Sequence, residues 1–345
     1  MGEGLEGSGC AADELKRLGV PNISPVESLE VLVIVDNATD SLSTNPKNVI
    51  PEWSGLLTGG RLRVISGQNI CCAHHGFSLL ITAQSAGKKH SLLFDAGPEA
   101  ATFLRNANIL GLDFGTVESI VLSHGHWDHA GGLLAAVEAV AKARGEKKVR
   151  CFVHPGMFAQ RASQRPNGEL YVHELVPDPE KLASAGADVV NTREPQVAGD
   201  GAFFISGEIP RLTKYEAGLP GHLRRSSDGQ SWDPDPLIMD ERFISVHVKN
   251  KGQFVFSACS HAGLINVLTH ARATFPEVPL YGVMGGLHLS GVTEKIIPDT
   301  INDLKGFDLK LLAPGHCTGW RALTAMAKVF GDELVPSAVG KRYLL

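Results

Sequence analysis

The sequence predicts an α/β fold in four layers, αββα, with two mixed β-sheets face to face and helices on the outside. Two observations predict it. Short apolar runs alternate with helix-like segments in the first half of the chain, and the alternation resumes in the last third. Four of those runs also share one layout, an apolar strand, then a histidine, then glycine: SIVLSHGHWDH, QFVFSACSHAG, LYGVMGGLHL and LKLLAPGHCTG. Open α/β sheets build their sites at the carboxyl ends of strands, so neighbouring strands of this kind bring their histidines together.

The elements follow in order. Residues 1–28 are polar and glycine-rich and read as a flexible segment with a short helix. LEVLVIVDN (29–37) is a buried strand ending in polar residues. Residues 38–60 are loop-like. GFSLLITAQ and HSLLFDAG form a hairpin across SAGKK, and the chain leaves the sheet at Asp95. EAATFLRNANILG is a helix with a terminal glycine. ESIVLSHGHWDHAGGLLAAVEAVAKARG is strand, loop and helix, and KKVRCFVHPG another strand. Residues 160–242 are rich in turn formers and read as long loops inserted beside the core, with GAFFISGEIP as a strand within them. Then come FISVHVK and QFVFSACSHAG around a turn, the helix LINVLTHARATFP, the strand PLYGVMGGLHL, the helix TINDLKGF, the strand LKLLAPGHCTG and a last helix in GWRALTAMAKVFG. Residues 29–345 thus read as one domain.

Composition narrows the function. The net charge of −5 lacks the basic balance of a general nucleic-acid binder, so none is expected as partner. No apolar run approaches the length of a membrane span, and the N-terminus lacks the apolar core of a signal peptide. Six scattered cysteines without a repeated CxxC argue against a disulfide framework. A cytoplasmic protein acting on a small molecule is the expectation; the oligomeric state is not legible.

SHGHWDHAGG carries the chemistry. His124, His126, Asp128 and His129 fall within six residues, and four such groups need partners if buried. Neutral imidazoles with a carboxylate suit a divalent metal, zinc above all, with manganese or iron as alternatives. His261, His288 and His316, at the ends of the other strands, are more ligands than one metal uses, which suggests a metal pair. Cys259 is an alternative thiolate ligand. His75 and His154 are candidates to line the pocket. Arg211, Arg224 and Arg225 are candidates to receive a phosphate, the last two more readily read as a solvated face. Trp127, in the metal motif itself, is placed to shape the pocket.

HGHWDH matches the HxHxDH signature of the metallo-β-lactamase fold. With HHGFSLLI, LLFDAGP, SGEIPR, CSHAGLINV, GGLHL and PGHCTG, the chain resembles the branch named for ribofuranosylaminobenzene 5'-phosphate synthases, from about residue 30 to the C-terminus. The resemblance implies His124 and His126 at a first metal, and Asp128, His129 and His316 at a second. It puts His261 where the fold usually supplies a bridging carboxylate, which leaves one or two metals per chain open. It implies Asp95 behind the ligands, orienting the HGHWDH loop. Glu208 of SGEIPR stands where many relatives have another histidine, as a ligand, a substrate contact or the partner of Arg211.

Three functions follow as expectations. The first is a metal-dependent hydrolase using activated water, which Asp128 helps to orient, on a phosphoester, lactone or related ester. The second is a synthase-type transferase joining a pterin pyrophosphate to an aminobenzene ribose phosphate, so that the substrate is phosphorylated or pterin-like. The third is a non-catalytic, metal-stabilised binding protein.

Overall fold

The computed structural model describes residues 23–345. The predicted N-terminal segment therefore falls mostly outside the described residues. Its last residues are docked: Val26 is fully buried and bridges Val248, and Ser24 N–H donates to the Gly201 carbonyl.

The chain begins with β1 (Ser28–Val35) and β2 (Val49–Ile50), continues through the hairpin β3 (Ser78–Ser85) and β4 (Lys88–Phe94), and adds β5 (Val117–Val121) and β6 (Val149–Val153). A short pair follows, β7 (Arg161–Gln164) and β8 (Leu170–Val172), then β9 (Ala187–Asn191), β10 (Gln196–Ala198) and β11 (Phe203–Ile205). After β12 (His222–Arg225) and β13 (Trp232–Pro234) come β14 (Ile244–Val248), β15 (Gly252–Ser257), β16 (Leu280–Gly286), β17 (Leu311–Gly315) and β18 (Arg342–Leu344).

These make an eight-stranded sheet, β2-β18-β1-β3-β4-β5-β6-β9, a six-stranded sheet, β10-β11-β14-β15-β16-β17, and a small sheet, β13-β12-β7-β8. Both large sheets are mixed. β4, β5, β6 and β9 run parallel, as do β15, β16 and β17, and the remaining pairings are antiparallel.

Alternation along the strands makes the four layers. In β4, Leu92 and Phe94 point between the sheets while Leu93 points out toward the helices. In β15, Phe254 and Phe256 point inward and Val255 outward. The inner faces meet in one core of Val31, Ile81, Phe94, Phe203, Phe254, Phe256 and neighbours. The helices Ala100–Leu110 and Leu133–Ala143 cover one outer face, and Leu264–Thr274, Ile297–Leu304 and Trp320–Phe330 the other. Strands buried on both faces read as continuous apolar runs, which is why the sequence shows them clearly.

Two expectations need correction. Residues 38–60 are not all loop: they hold β2 and the helix Glu52–Thr58, whose Leu56 packs under Leu32 and Val339. Residues 160–242 are rich in loops, but they are not only an insertion beside the core. They hold the whole small sheet, the helix Pro179–Ser184, and β9 to β11, which extend both large sheets. Three- to five-residue strands with exposed or half-buried faces carry too little hydrophobic period to be read from sequence. β18, equally short, also escaped notice.

Candidate metal centre

The carboxyl ends of the parallel strands of both sheets open at one place. Asp95 follows β4, His124 follows β5, Cys259 and His261 follow β15, His288 follows β16 and His316 follows β17. Asp95, Ser260, His288 and His316 all take left-handed φ (59°, 56°, 43° and 47°), a conformation costly for non-glycine residues that clusters where side chains must be aimed.

The buried carboxylate of Asp95 organises the HGHWDH loop. It accepts from Ser123 N–H (2.7 Å), from Ser123 Oγ (2.8 Å) and from His129 Nδ1 (2.7 Å). Because a carboxylate only accepts, His129 carries its proton on Nδ1 and turns an unprotonated Nε2 to the site. Ser123 spends its hydrogen on Asp95, so its oxygen accepts from His124 Nδ1 at 2.9 Å, and His124 Nε2 is likewise left as a lone pair.

From the other side, Asp240 Oδ2 accepts from Gly125 N–H (2.8 Å) while its Oδ1 receives the buried Arg161 guanidinium at 2.5 Å. Gly125 is required by close packing: a Cβ there would lie 2.5 Å from the Met157 carbonyl oxygen.

Two groups of donor atoms result. His124, His126 and His261 offer ligand atoms within 4.8 Å of one another. His124 Nε2 and His126 Nδ1 are 3.0 Å apart, and the His261 ring sits 4.8 Å from each of theirs. Beside them, Asp128 Oδ2 lies 3.3 Å from His316 Nε2, 3.3 Å from His75 Nε2 and 3.7 Å from His129 Nε2. Cys259 Sγ sits between the groups, 3.5 Å from His129 Nε2 and 3.2 Å from Cys317 Sγ.

The electrostatics suit a cation. Burial pushes the basicity of His124, His126 and His261 well below the ordinary imidazole range, so all three are neutral at neutral pH. Burial alone would raise Asp128, but His129, His316 and His75 around it outweigh burial and hold its carboxyl well below the usual range. Burial pushes the Cys259 thiol up. Both His261 nitrogens, His288 Nδ1 and His316 Nε2 are buried without a hydrogen-bond partner. Orphaned ring nitrogens of this kind, with a carboxylate and a thiol among them, fit a divalent metal.

Not every predicted residue reaches the centre. His288 does come close, its ring 4.4 Å from that of His261. Glu208 is not paired with Arg211. It accepts from Arg193 (2.5 Å) and, 3.1 Å away, from His154 Nε2. His154 is committed at both nitrogens, since its Nδ1 accepts from Gly156 N–H. Arg211 is no free anion receptor, because its guanidinium donates to the carbonyls of Ile209 and Leu237. Arg225 stacks on Trp232 instead.

Three residues near the centre escaped the sequence reading. Cys317 directly follows His316 and, as a lone cysteine, carries no spacing signal of its own. His222 of β12 has its Nε2 2.9 Å from His126 Nε2, and the ring of His173, just after β8, is 5.6 Å from that of His126. GLPGH has no apolar run before its histidine, and the LYV before His173 is only three exposed residues with no glycine after them, so neither carries the signal of the other segments. Around this edge, Trp127, Arg165, Tyr171 and His173 line an open cleft.

Two mixed sheets, outer helices and a histidine-rich centre at the strand ends define a class of protein: the chain belongs to the metallo-β-lactamase superfamily, whose family model matches residues 73–224. Within it, the chain is 30% identical over 274 residues to the 7,8-dihydropterin-6-methyl-4-(β-D-ribofuranosyl)-aminobenzene-5'-phosphate synthase of Methanocaldococcus jannaschii, covering 78% of this chain and 89% of that one. An uncharacterized protein of the same organism is 29% identical over 269 residues, covering 78% and 93%. Among solved structures, a metal-dependent hydrolase of the β-lactamase superfamily shares the fold, with a TM-score of 0.65 and 22% identity over 91% of this chain and 98% of that one. Among the described residues no helix is long and apolar enough to cross a membrane.

Proposed function

We propose that the protein is a metal-dependent hydrolase of small phosphoesters, lactones or related esters. The carrying observation is the convergence of His124, His126 and His261 beside Asp128, His129 and His316, with tautomers set from behind by Asp95. The first three would hold one divalent metal and the second three another, zinc above all, with manganese or iron as alternatives. Cys259 lies within reach of the second group. When bound, the metal supplies Lewis acidity and lowers the pKa of water.

The chain's own residues do the rest. Asp95 fixes the ligand nitrogens, and Asp128 is placed to orient the attacking water. His75, half-exposed and 3.3 Å from Asp128, stands at the rim, where it can hold or pass a proton at Nε2. Trp127 and Tyr171 give the cleft apolar walls, and Arg165 gives it a charge suited to a phosphate.

A second reading, a synthase joining a pterin pyrophosphate to an aminobenzene ribose phosphate, is favoured by the activity named for the Methanocaldococcus relative and by these aromatic walls, which suit a planar ring. Metal analysis of the purified protein, followed by assays with and without chelator on phosphodiester, lactone and thioester substrates, tests the first reading. Pyrophosphate release that needs the second substrate would favour the synthase. Turnover unaffected by complete metal removal would refute both.

A further inference from the structure

His222 lies on the small sheet, far in sequence from HGHWDH, yet it is 1% exposed and pressed against it. Its Nδ1 is 2.7 Å from the Asp235 carbonyl oxygen, which only accepts, so Nδ1 carries the proton and Nε2 is a lone pair. That lone pair faces His126 Nε2 at 2.9 Å.

On its opposite side, His126 turns Nδ1 toward His124 Nε2, 3.0 Å away, itself a lone pair because His124 Nδ1 donates to Ser123. A neutral imidazole has one hydrogen for these two contacts. With the hydrogen on Nδ1, His126 and His222 would oppose two lone pairs at 2.9 Å. With it on Nε2, His126 donates to His222, and its Nδ1 joins His124 Nε2 as a second unprotonated nitrogen facing the same point.

We infer that His222 is a positioning residue: it accepts the His126 Nε2 hydrogen and so holds His126 Nδ1 free as a metal ligand, tying the small sheet to the centre. This rests on the reading of His124 and His126 as metal ligands. Donation runs from His126 through His222 to the Asp235 carbonyl, the mirror of the series running from His124 through Ser123 to Asp95. Outer partners of this kind typically tune metal affinity by 10–100-fold.

The test compares His222→Leu, which fills the space without an acceptor, with His222→Gln, whose amide oxygen can accept. Zinc affinity is measured by chelator competition, metal stoichiometry by elemental analysis, and folding by melting the metal-free proteins. His222→Leu is expected to lose 10–100-fold in affinity at unchanged stoichiometry, with His222→Gln close to wild type. Should His222→Leu not fold, imidazole nitrogen NMR of the zinc-loaded wild type decides instead: His126 protonated at Nε2 and His222 at Nδ1 is the expected pattern.

Wild-type affinity in His222→Leu, equal losses in both variants, or His126 protonated at Nδ1 would overturn the inference. So would the loss of one whole equivalent of zinc, which would make His222 a ligand of a separate ion with His126 and His173. If wild type itself binds no zinc and His126→Ala changes nothing, it is the metal reading that fails.

Discussion

Asp95→Asn is the sharpest probe of how the centre is organised. The substitution keeps the shape and removes the charge from a fully buried carboxylate that accepts three hydrogen bonds through its two oxygens. An amide has only one accepting oxygen. If that oxygen keeps Ser123 Oγ and His129, the new NH₂ faces the Ser123 N–H across a 2.7 Å contact, donor against donor. If it turns the other way, His129 Nδ1 loses its acceptor and is no longer held in the tautomer that frees Nε2. One unpaired buried donor costs about 1–3 kcal/mol, so the metal-free variant should lose that much in urea unfolding. Zinc affinity should fall by about 10–100-fold, the usual cost of losing a ligand's orienting partner. Chelator competition reads the second quantity independently of the first. A variant that unfolds more easily yet binds zinc as tightly as wild type would refute the orienting role and leave Asp95 a structural residue.

Other outcomes follow from the same geometry. Gly125→Ala should destabilise by about 1–3 kcal/mol, seen in urea unfolding, because its methyl group meets the Met157 carbonyl at 2.5 Å. Asp240→Ala leaves the buried Arg161 unpaired and should cost about 3–5 kcal/mol, measured the same way. His270 is buried against Phe243, and burial lowers its pKa from 6.5 to about 4. The unfolded chain then binds the proton first, so stability is present above pH 6.5 and is lost as the pH falls toward 4. The shift amounts to about 3 kcal/mol. His270→Leu should therefore flatten the acid side of the stability profile by that amount; a profile parallel to wild type would contradict the assignment.

Much of this architecture was legible because the strands of the two large sheets are buried on both faces. Runs such as SIVL and QFVF carry that burial openly, and each leads straight into a site residue. HGHWDH was legible for a different reason: four ionisable groups so close together make sense only with a shared partner. What stayed hidden lies where local sequence and local structure part company. His222 and His173 sit on strands of three or four residues, or just beyond them, too short to show a period. Arg211 is three residues from Glu208, but the chain turns its guanidinium toward backbone carbonyls, and Arg193, a neighbour only in space, takes the carboxylate. Asp240 lies in the turn-rich stretch 160–242 with no motif around it, and only the fold sets it against Gly125.

The convergence of strand ends from both sheets has a consequence in time. His316 N–H donates to Asp36 across 280 residues of chain, and Cys259 meets His129 across 130. HGHWDH leaves the ribosome long before Cys259 or His316 exists, and β18, the last strand, closes beside β1, the first. Contacts this distant in sequence form late and slowly. The nascent first half carries its histidines without the far strands that complete the centre. Acquisition of metal by the finished set of ligands would then mark the end of folding, a built-in signal that the two halves have docked.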